Sequence, residues 1–201
     1  MRQQRKRRTE RLHTIASEQG GYFTAKQARA AGYEANAQAY HVHAGNWIRE
    51  HRGIYRLKNY PPPERPELIL WSLWSANRKG EPQGVYSHAT ALGIHDLSDL
   101  NPSKLHMTVP PGFRRSGAAP KALAVHKAPL HPVDTEVMHG YRVTKPLKTI
   151  GDLIAAGDVA EEHLRKAVKE AVQRGLLTLS QVDSAARLPR EVRARIKVLA
   201  R

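Results

Sequence analysis

Three side chains early in the sequence stand where they could read a nucleobase. Asn36, Tyr40 and His43 fall at i, i+4 and i+7, so on a helix they share one face. An amide, a phenol and an imidazole together suit the major groove of duplex DNA, where Asn pairs bidentately with adenine for roughly 1–3 kcal/mol of discrimination. A few residues on, Arg49, His51 and Arg52 sit where a hairpin would turn, within reach of phosphates or an adjacent minor groove. Counting faces puts Val42, with Gln38 or His41 and with Ala35 or Ala37, on the packed side. Gln38 also counts as a candidate contact, as does Lys26 on the preceding helix. The competing arrangement packs Tyr40 and His41 beneath the hairpin and leaves the tip cations to serve solubility.

Those side chains need a scaffold, and the flanking residues spell one. From Thr9 to Gln19, Leu12, Ile15 and Ala16 recur at helical spacing and Gly20-Gly21 ends the pattern. Thr24 is placed to cap a second helix, with Gln27 at the capping-box position. Ala25, Ala28 and Ala31 give that helix a small-residue face, and Gly32 stops it. A third helix is expected over Glu34 to Ala44, ending at Gly45, and the short turn before it is the helix-turn-helix signal. Asn46 to Leu57 then reads as strand, turn, strand, with Gly53 where a positive φ costs little. In this order the elements make a winged helix-turn-helix.

Composition narrows the partner. The chain has 201 residues, enough for one large domain or two small ones, with a net charge of +15 and a pI near 10.4. Residues 1–58 hold 12 Lys/Arg against four Glu, net +8, whereas residues 59–201 hold 21 against 14 acids, net +7. The N-terminal segment is therefore the more basic per residue, and nucleic acid leads the possible anionic partners. The opening RQQRKRR is followed by TERLHTIASEQGG, without the apolar core of a signal peptide. It is read as a basic arm of a cytoplasmic protein, with Arg5, Arg7 and Arg8 adding unspecific affinity. No apolar run spans a bilayer, so no membrane partner is expected. The lack of cysteine removes disulfides, thiolate zinc sites and cysteine nucleophiles.

Asn59 to Pro66, NYPPPERP, is the expected linker, giving a DNA-binding domain over 1–58 and a second domain over 67–201. Pro66 opens an apolar helix in which Trp71 and Trp74 are read as core. Gly84-Val85-Tyr86 is an extended lead-in, and Ser87 is placed to cap a helix from His88 to His95. Strands are expected over Lys104–Val109, Ala122–Lys127 and Tyr141–Thr144, and amphipathic helices from Pro146 and over Glu161–Arg174. The fold class is α+β: a winged helix followed by a small mixed sheet covered by helices. Arg114 and Arg115, in the loop PPGFRRSGAAP, are secondary nucleic-acid contacts. The basic ending RLPREVRARIKVLAR is expected to dock through Val192, Ile196 and Leu199, with DNA backbone or a second copy as its other possible partners.

Catalytic patterns are not found. There is no phosphate-cradling glycine loop, nucleophile elbow or HExxH, and Asp96 and Asp99 are not followed by an acidic-x-Lys strand. His88, His95, Asp96, Asp99 and His106 match no metal-ligand spacing, so neither metal nor cofactor is assigned. The expectation is a non-enzymatic DNA-binding protein, monomeric or homodimeric on DNA. The alternative is an RNA-binding or general nucleic-acid interaction protein working through Arg114, Arg115 and the basic tail.

YHVHAGNWIREHRGIYRL, GVYSHATALGIHDLSD, LHMTVPP and RVTKPLKTIGDL occur in an order that resembles the AbiEi-like antitoxins of type IV, abortive-infection toxin–antitoxin systems. The resemblance covers about residues 20–177. It implies a winged helix that binds inverted repeats in its own promoter, and a C-terminal domain that neutralises a nucleotidyltransferase-like toxin. Two features depart from that pattern. Glu34 stands where a Ser or Thr often caps the recognition helix, and the basic arm looks like an addition.

Overall fold

In the computed structural model, residues 2–100, 102–115 and 117–201 are described; Ser116 of the expected basic loop lies outside them. The elements run α1 (Arg2–Ser17), β1 (Tyr22–Thr24), α2 (Ala25–Ala30), α3 (Ala37–His43), β2 (Trp47–His51), β3 (Ile54–Leu57), α4 (Pro66–Trp74), β4 (Val85–Tyr86) and α5 (His88–Ile94). There follow β5 (Leu105–Val109), β6 (Leu123–Lys127), a short 3-10 turn over Pro132–Asp134, β7 (Thr135–Met138), β8 (Tyr141–Thr144), α6 (Pro146–Ala156), α7 (Glu161–Gln173), α8 (Leu179–Ser184) and α9 (Arg190–Leu199). The chain forms two compact units, one of residues up to Gly84 with Val137–Tyr141, the other of Val85–Glu136 with Arg142–Arg201. The class is α+β.

The first unit holds a winged helix with one more strand than the sequence patterning suggested. β1 pairs antiparallel with β3, which also pairs antiparallel with β2, so the order is β1-β3-β2. Three residues are too few to show alternation, which is why β1 escaped a periodicity reading. Thr24 does cap α2, accepting from Gln27 N, while Gln27 Oε1 accepts from Thr24 N at 2.8 Å. Ala28 and Ala31 are buried on the small-residue face. The supposed basic arm is not a separate tail: Arg5, Arg7 and Arg8 lie on α1, one continuous helix through Ser17. Arg, Lys and Gln are good helix formers, and the helix anchors through the buried Leu12 and Ala16.

The proline run does not divide the two units. Tyr60 packs against the core of the first unit and its hydroxyl donates to the Ser17 carbonyl at 3.3 Å. Gly20, at φ 57°, has the Ile69 and Pro63 side chains where a Cβ would stand. The prolines thus turn the chain back onto the module, and the break in contacts falls after Gly84. α4 begins at Pro66 as expected and buries Leu68, Ile69, Leu73 and Trp74, with Trp71 half-buried.

In the second unit the sheet order is β6-β5-β4-β8-β7. β4 runs antiparallel to β5 and parallel to β8, and β5 runs parallel to β6, so the sheet is mixed. β7 and α8 were not foreseen in the sequence. Leu92, Ile150, Leu153, Val168, Ile196 and Leu199 lie in one aliphatic core that joins α5, α6, α7 and α9. The C-terminal helix docks by the Val192, Ile196 and Leu199 stripe read from its spacing. Ser87 makes no cap bond to α5; its hydroxyl is shared instead with Thr108 Oγ1 at 2.8 Å and His88 Nδ1 at 2.9 Å. No described helix is long and apolar enough to cross a membrane.

Candidate nucleic-acid interface

α3 is shorter than its sequence pattern. It begins at Ala37 rather than Glu34, with Asn36 at the N-cap in αR geometry and without a side-chain cap bond. Residues 34–36 instead form the turn that closes onto the helix, Ala37 N donating to the Glu34 carbonyl at 3.1 Å. Glu34 is therefore not the cap. At its other end the helix closes with paired bonds, Gly45 N to the Val42 carbonyl at 3.1 Å and Asn46 N to the His41 carbonyl at 2.9 Å. Gly45 takes φ 70°, the left-handed value this closure demands.

The phase of α3 follows from an aromatic stack. His41 lies flat on Trp47, with centroids 4.4 Å apart and planes at 18°, and meets Tyr33 edge-on at 5.3 Å. Trp47 in turn contacts Phe23 at 4.8 Å and Tyr33 at 5.1 Å. With His41 and the half-buried Ala37, Gln38 and Val42 turned inward, Asn36, Tyr40 and His43 are left outward. Tyr40 is 66% exposed, so of the pair that could have packed beneath the hairpin only His41 does so. Gln38, offered as a contact, is half-buried on the packed side.

His41 is held neutral. Burial comes first, and the Arg8 and Arg5 charges add to it, in pulling its pKa below the ordinary histidine value. The Asn46 side-chain amide stands 3.2 Å from His41 Nδ1, where it donates to the unprotonated nitrogen. The sequence offers His41 as one of the packed-side residues, but neither its stack on Trp47 nor the Asn46 donor is read from spacing. The signal was present in the HVHAGNW run, but spacing alone does not show a ring lying on another ring.

The wing turns at Arg52-Gly53, with Gly53 at φ 74° and an irregularity in register between Arg49 and His51. Arg49 and Arg52 are exposed, whereas His51 is half-buried and meets Trp71 edge-on at 5.4 Å. Arg56 is occupied, its Nε donating to Glu50 Oε1 at 2.8 Å. On α1, Arg5 and Arg7 are exposed and Arg8 is half-buried, its guanidinium 4.9 Å from the Tyr33 centroid. Arg5, Arg8, His13, His41, Asn46 and Asn59 are among the residues lining a cleft of about 250 Å³. Within it Arg8 Nε is buried without a hydrogen-bond partner among the described residues. A basic cleft with an unused donor beside an outward polar helix face is suited to a phosphate backbone.

The remaining sequence candidates fare unevenly. Lys26 is exposed, but its ammonium donates to the Arg78 carbonyl, so part of its donor capacity is used within the fold. Arg114 and Arg115 are exposed in their loop in the second unit. Of the histidines and carboxylates considered for a metal, His95 Nε2 is bonded to the Thr144 carbonyl at 2.8 Å, and Asp99 is paired with Lys166. His88 and His106 do come together, and they do so with His126, which spacing did not single out.

Comparison with known proteins locates a family match on the first unit. Residues 10–58 match the model of the transcriptional regulator, AbiEi antitoxin family, AbiEi_4. The GVYSHATALGIHDLSD, LHMTVPP and RVTKPLKTIGDL segments fall outside the matched residues. No curated protein matches the chain. Among solved structures, the RV2827C protein from Mycobacterium tuberculosis aligns with a TM-score of 0.49 and 14% identity, over 96% of this chain and 80% of that one. A likeness at that level bears on neither fold nor function. Over residues 10–58 the N-terminal module is thus similar to the AbiEi antitoxin transcriptional-regulator family, a likeness that supports a DNA-binding regulatory role.

Proposed function

We propose that this protein is a transcriptional autoregulator that reads inverted repeats in its own promoter through α3, with its wing and α1 holding the DNA backbone. The observation that carries the reading is the outward set Asn36, Tyr40 and His43 on a helix with no fully buried residue. A helix serving only as core would turn its larger side chains inward; this one turns a tyrosine to solvent and anchors through His41. Asn36 and Tyr40 are assigned to base edges, Arg49 and Arg52 to phosphates at the wing, and Arg5, Arg7 and Arg8 to the flanking backbone. Lys26, Arg114 and Arg115 are secondary contacts. The AbiEi match over residues 10–58 supports an antitoxin context. Within it, we assign neutralisation of a nucleotidyltransferase-like toxin to the second domain.

An electrophoretic shift on the upstream region of the gene, repeated across salt, tests the DNA reading. If six to eight cations neutralise phosphates, the logarithmic salt slope is about −5 to −7. Binding to that region no tighter than to random duplex defeats the promoter-reading proposal. Displacement by structured RNA in preference to operator duplex would transfer the function to RNA. Co-expression with the neighbouring gene, scored by growth, tests toxin neutralisation separately.

A further inference from the structure

We propose that His88, His106 and His126 form a binding site for one Zn²⁺-class divalent ion in the second unit. Three elements converge there: His88 opens α5, His106 lies on β5 and His126 on β6. Each histidine offers one ring nitrogen, and the three nitrogens lie within 4.8 Å of one another. The sheet register makes the convergence. Thr108 is opposite His126 and His106 opposite Ala124, so His106 and His126 occupy one sheet face as diagonal neighbours. α5 packs on β5 and adds His88, whose ring stacks on His126 at 4.0 Å with planes at 17°.

The cluster has the chemistry of a metal site. His106 Nδ1 and His126 Nε2 stand 3.1 Å apart, so one must present a lone pair to the other. His88 Nδ1 is engaged by Ser87 Oγ, which is itself bonded to Thr108, and this leaves Nε2 to face a ligand. A hydrogen bond to the far nitrogen orients a ligating imidazole in just this way. Burial first, and then the neighbouring histidines, push His88 down to about 4 and hold His106 below its ordinary value. Coordination uses the unprotonated imidazole.

Zinc takes imidazole nitrogens at about 2.0–2.1 Å, which puts them roughly 3.3 Å apart in a tetrahedron. The nitrogens, now within 4.8 Å of one another, would close to that value as the stacked rings turn toward the ion. His88 is 8% exposed, while His106 and His126 are half-buried, so the ion would sit at the edge of solvent with a fourth position open to water. Asp158 supplies a favourable charge to both His88 and His106. An ion there would tie the start of α5 to β5 and to β6 at the end of the sheet order.

The test uses the full chain, stripped by chelator and then titrated with Zn²⁺ against a competing chromogenic chelator. The parent should take up one equivalent tightly. His126→Ala, at a half-buried position in an outermost strand, and His106→Ala should each weaken binding by more than the 10- to 100-fold that loss of an outer-shell partner costs. Zinc at about 100 times its Kd should raise the parent Tm by roughly 5 °C and leave His126→Ala unmoved. The melting curve without metal shows whether each variant folds. His139→Ala, removing an exposed imidazole of the first unit, should bind zinc as the parent does. The proposal is overturned if the parent holds no tight equivalent, if the two cluster variants bind as well as the parent, or if His139→Ala removes the binding.

Discussion

The two units carry nearly equal net charge in sequence terms, yet they dispose of their cations differently. In the second, α7 and α9 are laced by ion pairs: Arg165 and Arg195 both meet Glu161, Lys166 meets Asp99, Lys197 meets Asp183 and Arg174 meets Glu170. In the first, Arg5, Arg7, Arg8, Arg49 and Arg52 have no carboxylate partner among the described residues, and Lys6–Glu10 and Glu50–Arg56 are the pairs that the winged helix contains. Surface pairs of this kind add little stability, but they cancel field. On α9, Arg195 and Lys197 are thereby paired within their own fold, while these cations of the winged helix are left without a carboxylate to neutralise them.

Their cores differ in the same sense. The first unit builds its wedge from Phe23, Tyr33, Trp47 and Tyr55, large rings that fix a short helix with few contacts. The second closes an aliphatic core around α6, α7 and α9. Aromatic anchoring lets α3 keep its polar face free, which an aliphatic helix of seven residues could not do and still pack.

This contrast can be broken most strongly at Trp47. Trp47→Ala removes the ring beneath His41 and should cost about 3–5 kcal/mol in urea unfolding. It should also abolish operator binding. A loss below about 1 kcal/mol would mean that the stack does not anchor α3.

The charge contrast is tested by two sets of substitutions. Arg5→Gln, Arg7→Gln, Arg49→Gln and Arg52→Gln together should make the salt slope shallower by about 3 to 4. Arg165→Gln with Arg195→Gln should leave it unchanged, and a similar change in both sets would erase the distinction between the units. Asn36→Ala or Tyr40→Ala should then weaken operator binding by roughly 1–3 kcal/mol with random duplex little affected. Equal loss on both duplexes would reassign these side chains to unspecific contact.

A smaller effect concerns pH. The pKa of His41 is lowered in the folded chain, so between that value and the ordinary 6.5 the unfolded chain binds the proton and the folded one does not. Its contribution to stability is complete above pH 6.5 and is lost as pH falls toward the folded value. His41→Asn should flatten the dependence of Tm on pH in that window, and an unchanged profile would remove His41 from the account. Glu50→Gln should have the least effect, about 1 kcal/mol or less, because its partner Arg56 retains some solvent.

Much of the module was legible because its signals are local. The Thr24–Gln27 cap, the Ala28 and Ala31 face, the Gly45 stop and the Gly53 turn each follow from the stereochemistry of a few neighbouring residues. The same holds for the Pro66 and Pro146 helix starts and the docking stripe of α9. The amphipathic spacing of Asn36, Tyr40 and His43 survived as an outward face although α3 starts later than expected. Extended chain without period was harder: β1 becomes a strand only because β3 pairs with it.

What tertiary structure alone decided are the choices that sequence distance hides. Local patterning alone pointed to NYPPPERP as a linker, but Tyr60 and Ile69 have partners dozens of residues earlier that fold the prolines onto the module. The phase of α3 depended on Trp47 receiving His41 rather than Tyr40, a comparison between two rings of similar polarity that no periodicity separates. The meeting of His88, His106 and His126 required a strand register and a helix packed across it. Local chemistry determined which elements form and which residues are able to act; long-range packing, through burial and ring contact, determined which of them face the same point.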